Sequence, residues 1–168
     1  MPTGLKPSSS PIAVSFSLLE SAANTFTESR VDLQLNPLDN EVFVVTGVNL
    51  DPTVPSAVAG TNTQVRASLT TTSQVDAVNL SAPACLATSV MNIQADAASL
   101  VGFTRTSEDT PTHGTEYIGI IATNDFFVQI RGTNNTAAKF LSGRMWGYRA
   151  TASSSIYAAL VQSEVLSS

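Results

Sequence analysis

Apolar residues recur at every second position along most of this chain, and that period decides what it can fold into. Ile12, Val14, Phe16 and Leu18 alternate with Ala13, Ser15 and Ser17. Val31, Leu33 and Leu35 alternate with Asp32 and Gln34 until Asn36-Pro37 stops the run. Val65, Ala67 and Leu69 alternate with Arg66, Ser68 and Thr70. Successive side chains of a strand point to opposite faces, so each run describes a strand with one buried and one exposed face. Glu41 to Leu50 (EVFVVTGVNL) is β-branched and nearly continuous, as expected of a strand covered on both faces. Weaker strands are expected at Thr88 to Gln94 and at Leu100 to Arg105.

The strongest strand signal lies near the C-terminus. Glu116 to Thr123 (EYIGIIAT) and Asp125 to Arg131 (DFFVQIR) meet at Asn124-Asp125, a good hairpin turn. Gly132 to Thr136 then turns the chain into a run from Phe140 to Ala150, and the three runs read as consecutive hairpin strands. In the last of them Phe140, Ser142, Arg144, Trp146 and Tyr148 share one face, and Leu141, Gly143, Met145, Gly147 and Arg149 the other. Only the final segment leaves the period of two. Ser153 to Ser155 can cap, and Ile156, Ala159, Leu160 and Val165 form a loose helical stripe, so a short helix, a last strand or an ordered tail is expected. The opening MPTGLKPSSSP has no apolar period. The expected organisation is therefore an extended arm over 1–11, a β domain over 12–152 and a helix or tail over 153–168. Eight or nine short strands punctuated by Pro, Gly and Asn describe an all-β, antiparallel β-sandwich. A single jelly roll fits best by strand count and length. An immunoglobulin-type sandwich lacks its Cys…Trp…Cys spacing here.

Composition narrows the function. Only 12% of the residues are charged, and serine and threonine number 21 and 20. A net charge of −5 with eight cations leaves little to set against phosphates, so no direct nucleic-acid contact is expected. The single Cys85 excludes an intramolecular disulfide, and its neighbours Ala84 and Leu86 suggest a buried small hydrophobe. One Cys and one His fall short of a structural zinc site. The charge-free stretch Ala77 to Ala95 is broken by Asn79, Pro83, Asn92 and Gln94, so no transmembrane helix is expected. Residues 1–23 imitate a signal peptide only loosely, because Ser15, Ser17 and Glu20 interrupt the apolar run. No nucleophile, phosphate-loop or metalloprotease motif occurs. His113, the only histidine, sits in the polar stretch Ser107 to Gly114. There Glu108, Asp109 and His113 could converge on a cation, but a solvated loop is the plainer reading. No cofactor, no metal and no catalytic residue is expected, and the chain does not read as an enzyme.

The charges are unevenly spread. Residues 1–125 hold 12 acids against 4 bases, whereas 126–168 hold Arg131, Lys139, Arg144 and Arg149 against Glu164 alone. With Trp146 among them, Arg131, Lys139, Arg144 and Arg149 are the candidate subunit-interface residues, a cationic strip able to face the acidic surface of another copy. Phe126, Phe127, Phe140, Trp146 and Tyr148 fall at strand spacing, which favours core positions over an exposed platform.

An uncharged, Ala/Ser/Thr/Asn-rich β chain with a Pro/Ser arm resembles virion structural proteins, both jelly-roll capsid subunits and the decoration proteins of phage heads. The block DFFVQIRGTNNTAAKFLSGRMWGYRATASSSIYAALVQSE (Asp125 to Glu164) is similar to the C-terminal hairpin and tail of such proteins. The resemblance implies a passive homo-oligomer located in the virion, with copies of itself and other virion proteins as partners. It assigns no role to any single residue. The alternative from the residues is a carbohydrate-binding or adhesin β-sandwich module, motivated by the C-terminal aromatics.

Overall fold

The alternating runs become strands because β-branched and aromatic side chains pack well on a pleated surface. The computed structural model describes residues 3–106 and 116–166, so Glu108, Asp109 and His113 lie outside the described residues. The strands are β1 (Leu5–Pro7), β2 (Ile12–Leu19), β3 (Thr27–Asp32), β4 (Glu41–Pro52), β5 (Thr63–Thr70), β6 (Cys85–Asp96), β7 (Ser99–Thr106), β8 (Gly119–Ile121), β9 (Asp125–Thr133) and β10 (Phe140–Ala152). One helix, α1 (Ser154–Leu166), follows them.

Two antiparallel five-stranded sheets form. In the first, β10 is flanked by β4 on one side and by β2 and then β1 on the other, and β8 extends the sheet beyond β4. The second runs β3-β9-β5-β6-β7. Leaving aside β1 and β7, the orders β2-β10-β4-β8 and β3-β9-β5-β6 are those of a jelly roll, with the chain passing repeatedly from one sheet to the other. The fold is thus an all-β sandwich with a C-terminal helix. Leu5 to Pro7 pairs with Ala152 to Ala150, so this part of the N-terminal segment is a strand of the first sheet, with Leu5 buried.

The expected C-terminal hairpins do not form. β8 pairs with β4 in the first sheet, β9 with β3 and β5 in the second, and β10 returns to the first. Asn124 makes a crossing between sheets, not a two-residue turn. Its carbonyl accepts from Leu33 N–H at 2.8 Å and its side chain from Leu35 N–H, which ties it to the connection leaving β3. Of the apolar run 116–123 only Gly119–Ile121 is strand, paired with Phe43 to Val45.

The core lies between the sheets. Phe43, Val45, Leu141 and Met145 of the first meet Val65, Leu69, Phe126, Val128 and Ile130 of the second, all buried. Phe16 meets Phe126 edge to face, with ring centroids 5.8 Å apart and planes at 71°, a preferred aromatic geometry. A second apolar cluster lies on the outer face of the first sheet. There Ile156, Tyr157, Leu160 and Val161 of α1 cover Val42, Val44, Ala122 and Ala150. That is why β4 is buried on both faces from Val42 to Val45, as its continuous apolar run foretells, while Asn49 and Asp51 further along are exposed.

Gly147 marks a close approach of β10 to β4. The register of β10 against β4 shifts between Trp146 and Gly147, and a Cβ at 147 would stand 2.2 Å from the Val44 carbonyl oxygen and 2.5 Å from the Phe43 ring. A backbone carbonyl inside a paired strand has no room to retreat. Gly147→Ala is expected to destabilise by about 1–3 kcal/mol, the usual cost of overpacking. Urea denaturation checks it, and an unchanged midpoint would contradict this packing.

Candidate interaction surface

The alternation of β10 fixes which residues look outward from the first sheet. Phe140, Ser142, Arg144, Trp146 and Tyr148 share the outer face, and the cross-strand pairs extend it: Leu19 opposite Phe140, Ser17 opposite Ser142, Ser15 opposite Arg144, and Asn49 and Asp51 on the β4 side. This face has two unlike halves. The half holding Tyr148, Val44 and Ala150 is closed by α1. The other half carries Leu19, Phe140 and Trp146 at 63%, 50% and 40% exposure. A shallow concavity of about 230 Å³ lies beside Trp146, lined also by Asn49, Asp51 and Arg144. Arg144 is exposed, and its Nε donates to Ser15 Oγ at 3.1 Å.

The five candidate residues do not gather at one place. Arg144 and Trp146 stand together on the bare half. Lys139 lies at its rim, and its backbone N–H donates to Glu20 Oε1 at 2.9 Å. Arg131 is on the outer face of the second sheet, paired with Asp76 at 2.8 Å. Arg149 belongs to the opposite face of β10 and works within the chain. It donates to Glu41 Oε1 at 2.7 Å and to the carbonyls of Leu33 and Gln34 at 2.8 and 3.0 Å, clasping the connection between β3 and β4. Two of the four C-terminal cations are therefore balanced internally. Of the aromatics, Phe126 is core, Phe127 and Tyr148 are half-buried, and Phe140 and Trp146 are exposed. Cys85 is half-buried instead of fully buried, with its thiol directed to the Ala87 carbonyl at 3.3 Å.

Two features were not marked by the sequence reading. One is Glu20, buried at the end of β2 and bonded to three backbone N–H groups. The other is a polar groove of about 520 Å³ on the outer face of the second sheet, beside Arg66. The alternation of Gln64 and Arg66 with Val65 and Ala67 marks them as outward-facing, but nothing in it tells which residues of β6 stand opposite. Among the described residues no cluster of three or more His, Cys, Asp or Glu side chains could hold a metal ion, and no helix is long and apolar enough to cross a membrane.

No family model matches the chain, and no curated protein matches it. Among solved structures, a chain of Desmodium yellow mottle tymovirus is similar, at 10% identity over 92% of this chain and 88% of that one, with a TM-score of 0.29.

Proposed function

We propose that this protein is a non-enzymatic structural subunit of a virus or bacteriophage particle, assembled in many copies in or on the capsid shell. The observation that carries the reading is the bare half of the first sheet's outer face. Leu19, Phe140 and Trp146 are left in water there, although the same face is closed by α1 one half-sheet away. Leu19 and Phe140 stand at one end of this half and Trp146 at the other, with Ser142 and Arg144 between them, and exposed aromatic side chains interleaved with polar ones suit an association surface. Trp and Arg are the residue types that dominate such contacts. The occupant is a second copy of this chain, meeting Arg144 and Trp146 with an acidic part of its surface. Asp32, Asp39 and Asp96 are exposed carboxylates of the acidic portion, 1–125. A contact between two different patches is head-to-tail, and such contacts close into rings or shells. Few charges and many hydroxyls suit this use, because hydroxyl groups are cheaper to desolvate than ions.

Sedimentation velocity with increasing concentration tests the reading. Assemblies of the wild-type chain are expected, and Trp146→Glu should raise the dissociation constant about 30-fold or more, the effect of losing a 2 kcal/mol hot spot. A wild-type chain that stays a monodisperse monomer at high concentration, alone and with capsids, would overturn it.

A further inference from the structure

We propose that the groove beside Arg66 binds a sugar acid, a hydroxylated ring bearing one carboxylate or sulfate. The inference is independent of how copies of the chain assemble.

The starting point is a repulsion built into the second sheet. Arg66 of β5 stands directly opposite Arg131 of β9. Like charges directly opposite one another destabilise an antiparallel pair. Arg131 is relieved by Asp76 at 2.8 Å. Arg66 is half-buried and makes no ion pair with any of the described residues. The other cross-strand neighbour of Arg66 is the apolar Val90, which offers it no counter-charge. A half-buried guanidinium without an ion-pair partner among the described residues, lining a cavity, is a site for an anion from outside.

The neighbours define what carries that anion. Gln64 and Asn92 stand opposite each other, and Gln64 Nε2 donates to Asn92 Oδ1 at 2.6 Å. This bond fixes both carboxamides and leaves Gln64 Oε1 as an acceptor beside Asn92 Nδ2 as a donor, a combination that matches adjacent ring hydroxyls. Asn79 has its oxygen occupied by the Ser81 backbone and hydroxyl, so its Nδ2 is left to donate. Donors outnumber acceptors around the cavity, which favours an acceptor-rich, anionic ligand. Leu80, 57% exposed, and Val90 supply apolar surface for the C–H face of a ring. The volume of about 520 Å³ is that of a small-ligand site.

The test uses the full chain and amide NMR titrations with glucuronic acid, N-acetylneuraminic acid, glucose and sodium sulfate. Saturable shifts at Gln64, Arg66 and Asn92 are expected with at least one sugar acid, with glucose and sulfate binding at least tenfold more weakly. Arg66→Gln should weaken the sugar acid about tenfold or more while melting at or above the wild-type temperature, because it removes the repulsion with Arg131. Gln64→Ala should weaken it several-fold. Sulfate binding as tightly as the sugar acids, equal binding by Arg66→Gln, or no saturable shift with either acid would each overturn the proposal.

Discussion

Replacing Glu20 by alanine is expected to cost about 3–5 kcal/mol, because one buried N–H group and two partly buried ones lose a charged acceptor, at roughly 1–3 kcal/mol for a fully buried group. The Glu20 side chain is buried where β2 ends, and its two oxygens accept from Thr25 N–H at 3.0 Å, Gly132 N–H at 3.0 Å and Lys139 N–H at 2.9 Å. Those donors belong to three different pieces of chain: the turn leading to β3, the end of β9 and the start of β10. Its own backbone N–H donates to the Lys139 carbonyl at 2.9 Å, completing a reciprocal pair. One carboxylate thus joins the two sheets at one end of the sandwich. The carboxylate lies so close to the β9 backbone that a Cβ at Gly132 would stand 3.0 Å from Glu20 Oε1. For a domain whose whole stability is of order 5–15 kcal/mol, this loss is a large share. The melting temperature should fall by about 10 °C or more. Glu20→Gln keeps one carbonyl acceptor and should lose less. A melting temperature unchanged in Glu20→Ala would contradict the clasp.

Glu20 also shows where sequence reading stops. In the sequence it is one acid after an apolar run, and its meaning depends on Gly132 and Lys139, more than a hundred positions away. Period two, by contrast, is a local property. It assigned every residue from Phe140 to Tyr148 to its observed face, and placed Arg144 beside Trp146 without any knowledge of the partner strands. The continuous apolar run of β4 foretells cover on both faces, which holds over Val42 to Val45 but not at Asn49 and Asp51, and it does not tell that α1 supplies the outer cover. Pairing is not local. The runs at 116–123, 125–131 and 140–150 satisfy a hairpin pattern and a jelly roll equally well. What decides between them is that each strand must bury its inner face against the opposite sheet, and Asn124 is bonded to the end of β3 instead of to its own hairpin. Arg149 was grouped with Arg144 by charge, whereas the odd and even positions of β10 lie on opposite faces. The groove at Arg66 was missed for the same reason as Glu20: its chemistry arises from the register Gln64 to Asn92 and Arg66 to Arg131, which alternation cannot supply.

Glu164 should control how firmly α1 is held, and in a pH-dependent way. It is the only acid after Asp125, and it is buried. Its Oε2 accepts from Ala122 N–H at 2.8 Å and Thr123 N–H at 3.0 Å, and its Oε1 from the Thr123 hydroxyl at 2.9 Å. Burial raises its carboxyl above the ordinary range more than these three bonds lower it, and the nearby negative charge of Asp125 raises it further. Asp125 is itself paired with Arg30, and α1 has no other charged residue. A carboxyl raised in the folded state binds its proton more tightly there than in the unfolded chain. Its contribution to stability is therefore complete below the unfolded value and is lost as pH rises through the folded one. Mild acidification from neutral pH should tighten the docking of α1, until the other carboxylates begin to protonate. Glu164→Gln should remove that dependence and hold α1 at least as well at neutral pH, because an amide oxygen accepts the same two N–H bonds without a buried charge. Glu164→Ala orphans both N–H groups, costs about 2–4 kcal/mol and releases the helix from Val42, Val44 and Ala150. Urea denaturation over a pH series from neutral downwards, with hydrogen exchange along α1, separates these outcomes. If Gln proves as damaging as Ala, the carboxylate charge itself holds the helix. If Ala leaves exchange unchanged, the apolar contacts of Ile156, Leu160 and Val161 suffice without the Glu164 bonds.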